Sequence, residues 1–326
     1  MENTVQDPWE VCLKSYKVHE ESYAFINGLA AQSVQPFHKY TLEEAREVFP
    51  AVFNAAAGEI EFDGEVEELV IPSPYVTSGI LTSVYKARNR AANPAILVYF
   101  HGGGLIILDR KSVETALKTI ARDAGCIVVN VEYRLLNGPG KDYDPFNDAV
   151  TATEWVLANK KRVGGSPSSK VGVGGDSAGG QIAISVTNDV QGLDLQILMY
   201  PHADTVLNFP SVTEFKNVPG LSKADIDWFV HWTSLELPHQ LTDPRINAMA
   251  RTNLELSPTT LIVAAQLDTL RDSGVAYAKK LRAAGVEVQL ETIEGVPHAF
   301  FGMCAIFKTK CPEAYGHVVK FIKKFQ

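Results

Sequence analysis

Four short stretches of this chain hold residues whose types and spacing suit nucleophilic attack on a carbonyl. Ser177 sits in Gly175-Asp176-Ser177-Ala178-Gly179, a G-x-S-x-G pattern after a valine-alternating run and before a helix-like stretch. Glycines at that spacing let a strand turn sharply into a helix and leave the serine at the corner, above the sheet edge. A serine hydroxyl at its ordinary pKa is a poor nucleophile. It needs a base within hydrogen-bond reach, and the base needs a carboxylate to orient it.

A second stretch, His101-Gly102-Gly103-Gly104, follows an apolar run at 94–100. Backbone N–H groups that approach a tetrahedral oxyanion closely must come from residues without bulky side chains. Gly102, Gly103 and Ala178, the residue after the serine, are the expected donors. A phosphate cradle would need a G-K-[ST] ending, which this stretch lacks. His101 precedes the serine on the oxyanion side and reads as a structural residue shaping the loop.

Behind a serine at such a corner, the acid and then the base follow in chain order. His202, His231 and His239 border or lie in an irregular insertion, and His317 lies in the final helical stretch. His298, in "EGVPHAFF" just beyond a strand, is the expected base. Asp268, at the carboxyl end of "TTLIVAAQ", is the expected acid. Asp272 is the alternative, although its place at the start of a helix suits a dipole-stabilising acid.

These residues require elements to hold them. "EVEELVI" (65–71), "GILTSVYKA" (79–87) and "PAILVYF" (94–100) read as successive strands. From residue 111 amphipathic helices alternate with apolar strand runs at 126–133, 169–175, 195–200, 259–266 and 286–293. That alternation implies a mostly parallel central sheet with helices on both faces, the α/β class. The first fifty residues lean helical, with Thr41 and Glu44 spaced as a capping box. Residues 203–252 break the alternation with Phe209, Phe215, Trp228, Phe229 and Trp232. An insertion there sits over the carboxyl ends of the strands, where ligands bind. The chain is therefore expected to be one domain, 1–326, with a helical cap from about 1–50 and about 203–252. Leu105, Phe215, Trp228, Phe229 and Trp232 are its expected substrate-pocket residues.

Composition narrows the class. With 326 residues and 46% hydrophobic content the chain can bury a large core. Thirty-eight acidic against 30 basic residues, a formal charge of −8, argue against nucleic acid as a partner. The N-terminal stretch has no apolar run suited to export, and no apolar run approaches the roughly 20 residues that span a bilayer. Cys12, Cys126, Cys304 and Cys311 are too few and too scattered for a disulfide framework or a zinc site. A cytoplasmic location is expected, and self-association is left open. "HVVKFIKKFQ" at the C-terminus reads as a helix covering the sheet.

Taken together, "HGGG" (101–104), "VEYRL" (131–135), "GDSAGG" (175–180), "LDTLRDSG" (267–274) and "GVPHAF" (295–300) resemble the hormone-sensitive-lipase-like group of α/β-hydrolases. That group includes bacterial esterases, plant carboxylesterases and arylacetamide deacetylases. The resemblance runs from about residue 65 to the C-terminus. It implies the α/β-hydrolase fold, with Ser177 as nucleophile, Asp268 as acid and His298 as base. The amides of Gly102, Gly103 and Ala178 become the oxyanion hole. It further implies a small-molecule carboxylic ester as substrate, with no metal or organic cofactor. Two departures fall on the pocket wall: Leu105 replaces a common aromatic residue, and "LNGPGKDYD" (136–144) replaces an Ala-Pro-Glu-type turn. Amides or lactones handled by the same machinery remain an alternative. A binding protein on this scaffold, as in the plant gibberellin receptors, is disfavoured because His298 is present. A nucleotide-dependent enzyme fails because "GVGGDS" lacks the third glycine of G-x-G-x-x-G.

Overall fold

The computed structural model describes residues 9–136 and 143–326. The departure at 136–144 therefore lies largely outside the described residues. Eight strands form one sheet in the order β1-β2-β4-β3-β5-β6-β7-β8. They are β1 (Gly64–Ile71), β2 (Ile80–Ala87), β3 (Ile96–Phe100), β4 (Ile127–Val131), β5 (Val171–Asp176), β6 (Leu195–Met199), β7 (Thr259–Leu267) and β8 (Val288–Pro297). β2 runs antiparallel to both β1 and β4, and every later pairing is parallel.

Side chains alternate along a strand, so a sheet covered on both faces needs apolar residues at successive positions. β3 shows this directly. Ile96, Val98 and Phe100 enter one core with Ala149 of α5 (Asp144–Ala158), Ile182 of α6 (Ala178–Asp189) and Leu281 of α9 (Arg271–Ala283). Leu97 and Tyr99 enter the other, with Leu117 and Ile120 of α4 (Glu114–Ala124) and Val318 and Phe321 of α10 (Lys310–Ile322). The last helix buries Cys311, Ala314, Val318 and Phe321 against the sheet side, as its lysine-and-apolar pattern implied. Gly125 ends α4 in the left-handed conformation that a residue without Cβ adopts at least cost.

The remaining helices lie at the N-terminus, α1 (Glu10–Leu13), α2 (Glu20–Ala31) and α3 (Leu42–Ala57), and in the insertion, α7 (Pro210–Glu214) and α8 (Lys223–Ser234). The capping box expected at Thr41 and Glu44 is formed at α3. A second one, Ser222 with Asp225, starts α8. The two regions meet: His38 Nδ1 lies 2.8 Å from Asp225 Oδ1, and Trp228 Nε1 donates to the Tyr40 carbonyl at 3.0 Å. Among the described residues, no helix is long and apolar enough to cross a membrane.

Candidate active site

Every expected reactive segment leaves the sheet from the carboxyl end of a parallel strand. His101–Gly104 follow β3, Ser177 follows β5, Asp268 follows β7 and His298 follows β8. Because β5 lies beside β3, the serine corner and the glycine loop are neighbours.

Ser177 holds φ 55° and ψ −119°, between the last residue of β5 and the first of α6. For a residue with a Cβ this backbone is strained, at a cost of order 1–3 kcal/mol. The glycines around it make the turn feasible. A Cβ on Gly175 would lie 2.2 Å from Gly179, and a Cβ on Gly179 would lie 2.0 Å from the Phe100 carbonyl oxygen. Leu105, Leu108, Tyr200 and Ala299, in the segments that surround the serine, also have positive φ, as do Ser33, Tyr143 and Leu207 elsewhere in the chain.

His298 Nδ1 donates to Asp268 Oδ2 at 2.7 Å, and the Ser177 hydroxyl donates to His298 Nε2 at 2.8 Å. The Asp268 carboxylate is itself held, because its Oδ1 accepts the Leu270 amide at 2.8 Å. Asp272 stands outside this relay. It accepts the Ser211 amide at 2.9 Å and pairs with Arg271 at the start of α9. Of the two candidate acids, Asp268 is the one whose carboxylate touches His298.

The oxyanion donors differ from expectation at one position. The Gly102 amide donates to Asp176 Oδ1 at 3.1 Å, an oxygen that also accepts the Tyr99 hydroxyl at 3.2 Å. Gly102 is therefore already engaged. The amides of Gly103 and Gly104 find no acceptor among the described residues, and both glycines line the cavity before Ser177. Ala178 opens α6, where an N–H has no intrahelical partner. Gly103, Gly104 and Ala178 thus form the donor set the geometry offers. A Cβ on Gly103, at φ +110°, would lie 2.1 Å from the Ile107 carbonyl oxygen.

Asp176 is buried, and that burial raises its carboxyl pKa to about 6. Burial likewise lowers His101 to about 4, so its ring is neutral. It stacks on Tyr133 at 4.3 Å, and the Tyr133 hydroxyl donates to the His101 carbonyl at 2.8 Å. This explains the tyrosine of "VEYRL". The arginine beside it, Arg134, binds Asp148 through Nε at 2.9 Å and Nη2 at 2.8 Å.

A family model for the alpha/beta hydrolase fold matches residues 97–302, well over half of the sequence. The chain belongs to this family. The hydrolase is 31% identical over 319 residues to carboxylesterase NlhH of Mycobacterium tuberculosis, covering 91% of this chain and 97% of that protein. Ethyl acetate hydrolase of Pseudomonas putida is 30% identical over 292 residues, covering 86% and 90%. The solved hyperthermophilic esterase of Pyrobaculum calidifontis superposes with a TM-score of 0.83 at 26% identity, covering 94% of this chain and 98% of that one. The family resemblance carried by the motifs is borne out.

The hydrolase places the expected pocket residues unevenly. Leu105 and Phe229 line the cavity before Ser177. Phe215, Trp228 and Trp232 do not. Phe215 packs in a separate core with Trp9, Cys12 and Val18, and the Arg271 guanidinium lies 4.8 Å from its ring. Trp228 and Trp232 miss the cavity for a geometric reason. Ile226, Phe229, Val230 and Thr233 share one face of α8 and line the cavity, and residues 228 and 232 fall on another. Helical spacing within "DIDWFVHWT" carried that distinction. Phe37, Phe53 and His202 also line the cavity, and no motif marked them. Burial lowers His202 to about 4, so a second, neutral imidazole faces the site.

Proposed function

We propose that this hydrolase cleaves carboxylic esters of small acids through an acyl-enzyme on Ser177. The observation that carries the reading is the continuous relay Asp268–His298–Ser177, ending at a cavity flanked by the Gly103, Gly104 and Ala178 amides.

In this mechanism His298 Nε2 takes the hydroxyl proton as Ser177 Oγ attacks the ester carbonyl. Asp268 holds the ring in the tautomer whose Nε2 is free to accept, and then stabilises the imidazolium. The three amides bind the oxyanion. Collapse of the tetrahedral adduct breaks the bond to the alkoxy oxygen, which leaves with the proton from His298. Water, deprotonated by His298, then attacks the acyl-enzyme and releases the acid. The apolar walls supplied by Phe37, Phe53 and Phe229 support a cap made of the N-terminal helices and the 203–252 insertion. The four cysteines stand as free thiols, which supports the cytoplasmic setting.

The test is hydrolysis of p-nitrophenyl acetate and butyrate, together with labelling by a fluorophosphonate. The expected results are turnover of both esters and a mass increment on the peptide that carries Ser177. An unlabelled serine in folded, inactive protein would overturn the reading.

A further inference from the structure

The cavity before Ser177 has a volume of about 80 Å³, room for a group of a few non-hydrogen atoms. Much of its wall is hydrocarbon, with Leu105, Leu108, Phe229 and Leu237 among the contributors. Two carboxamides interrupt that wall, Gln181 on α6 and Gln240 in the turns after α8. Both residues are buried, at 3% and 8% exposed.

Each carboxamide is only half used. Gln181 Nε2 donates to the Ile246 carbonyl at 2.8 Å, which fixes the orientation of the group and leaves Oε1 without a donor among the described residues. Gln240 Oε1 lies 3.3 Å from the Thr233 hydroxyl oxygen, and its Nε2 has no acceptor among the described residues. Gln181 is also tied to the nucleophile, because its backbone amide donates to the Ser177 carbonyl at 3.2 Å.

Buried polar groups are seldom left unpaired, since an unmade hydrogen bond costs the full desolvation of the group. Water entering the cavity can meet both atoms, but a substrate that expels the water must replace its hydrogen bonds or lose affinity. A hydrocarbon group replaces neither. A hydroxyl can answer either atom, because it donates as well as accepts. A site that hydrogen-bonds a substrate hydroxyl rejects the analogue lacking it far more strongly than an apolar pocket rejects an added one.

We propose that Gln181 and Gln240 read a hydroxyl on the part of the substrate that fills this cavity, so that the preferred substrates are small esters hydroxylated on the acid or the alcohol. This rests on the ester-hydrolase reading above and leaves its bond-breaking steps unchanged.

Two matched pairs test the assignment by kcat/KM in a pH-stat, each rate divided by that of hydroxide-catalysed hydrolysis of the same ester. Ethyl β-hydroxybutyrate against ethyl isovalerate sets a hydroxyl against a methyl group in the acid. Ethylene glycol monoacetate against propyl acetate does so in the alcohol. The hydroxylated ester is expected to lead by at least tenfold in one pair, and the pair that responds identifies the half that enters the cavity. Gln181→Met and Gln240→Met remove the two carboxamides independently, and each is expected to cut that lead at least fivefold, with folding checked by circular dichroism. A lead below tenfold in both pairs, or one that neither methionine reduces, would overturn the assignment while leaving the hydrolase reading intact. Failure to turn over any ester would overturn both.

Discussion

The carboxylate of Asp176 reaches across from the end of β5 to the loop after β3 and accepts the Gly102 amide at 3.1 Å. It thereby ties the segment that carries the nucleophile to the segment that carries the oxyanion donors. The same oxygen accepts the Tyr99 hydroxyl, and Asp176 attracts the positive form of His298. Asp176→Ala is expected to strand two buried donors, each worth about 1–3 kcal/mol, and to lower kcat about 10²-fold as the loop loosens. Asp176→Asn keeps an acceptor and is expected to lose about tenfold or less. Equal losses in the two variants, measured with p-nitrophenyl butyrate, would refute the tethering role.

The same group makes stability depend on pH, with a sign that can be worked out. The folded pKa of about 6 stands above the ordinary aspartate value of 3.8, so the native protein binds more protons than the unfolded chain between those values. Its contribution is fully present below about pH 3.8 and is lost as pH rises through about 6. The difference is on the order of 3 kcal/mol. The gap in Tm between Asp176→Asn and the parent protein is expected to shift in favour of the variant from pH 4 to pH 7.5. A gap that is constant across this range would contradict the burial argument.

Gly104 is under a separate constraint. It has φ +61°, and a Cβ there would lie 2.1 Å from the ring of Phe229. Gly104→Ala is therefore expected to displace the amide and lower kcat by about 10²–10³, the usual effect of a lost oxyanion donor. Phe229→Ala removes the clashing ring from α8. The double variant is expected to recover about tenfold over Gly104→Ala, and its failure to recover would assign the loss to backbone strain alone.

Asp268→Asn tests the relay with little change in shape. It is expected to cost about 10⁴ in kcat, because the amide no longer holds the ring in the accepting tautomer. Asp272→Asn is expected to stay within a few-fold of the parent, since Asp272 binds Ser211 and Arg271 rather than His298. Kinetics on a short ester decide between the two acids. The reverse ranking would overturn the assignment of Asp268.

The sheet was legible in the sequence because β3, β4, β5 and β7 are apolar at successive positions, a pattern that only a doubly covered sheet requires. The relay was legible for a related reason. Ser177 and Asp268 each sit one residue past such a strand, and His298 sits one residue past β8, whose pattern is more mixed, so reading the strands located the residues. The oxyanion donors were harder. Three consecutive glycines announce a close backbone approach but not which amides face inward, and that choice depends on Asp176, the unremarked x of G-x-S-x-G. The pocket aromatics show the opposite failure. Composition marked Phe215, Trp228 and Trp232 as a group, but a helix presents only one stripe to a cavity, and Phe215 belongs to another core. Phe37 and Phe53 come from the N-terminal region, where spacing carries no record of the partner they pack against.

Gly295 shows how late in folding the site can be completed. Its carbonyl accepts the His19 amide at 3.0 Å and the Ser22 hydroxyl at 2.7 Å, so the start of α2 is fastened to β8 three residues before His298. A Cβ on Gly295 would collide with the Lys17 carbonyl oxygen at 2.7 Å. On the ribosome, residues 17–22 emerge long before the strand they clasp, and the serine corner and glycine loop can pair while the base is still unmade. The nascent chain thus carries Ser177 before His298, the residue that hydrogen-bonds it, has been made.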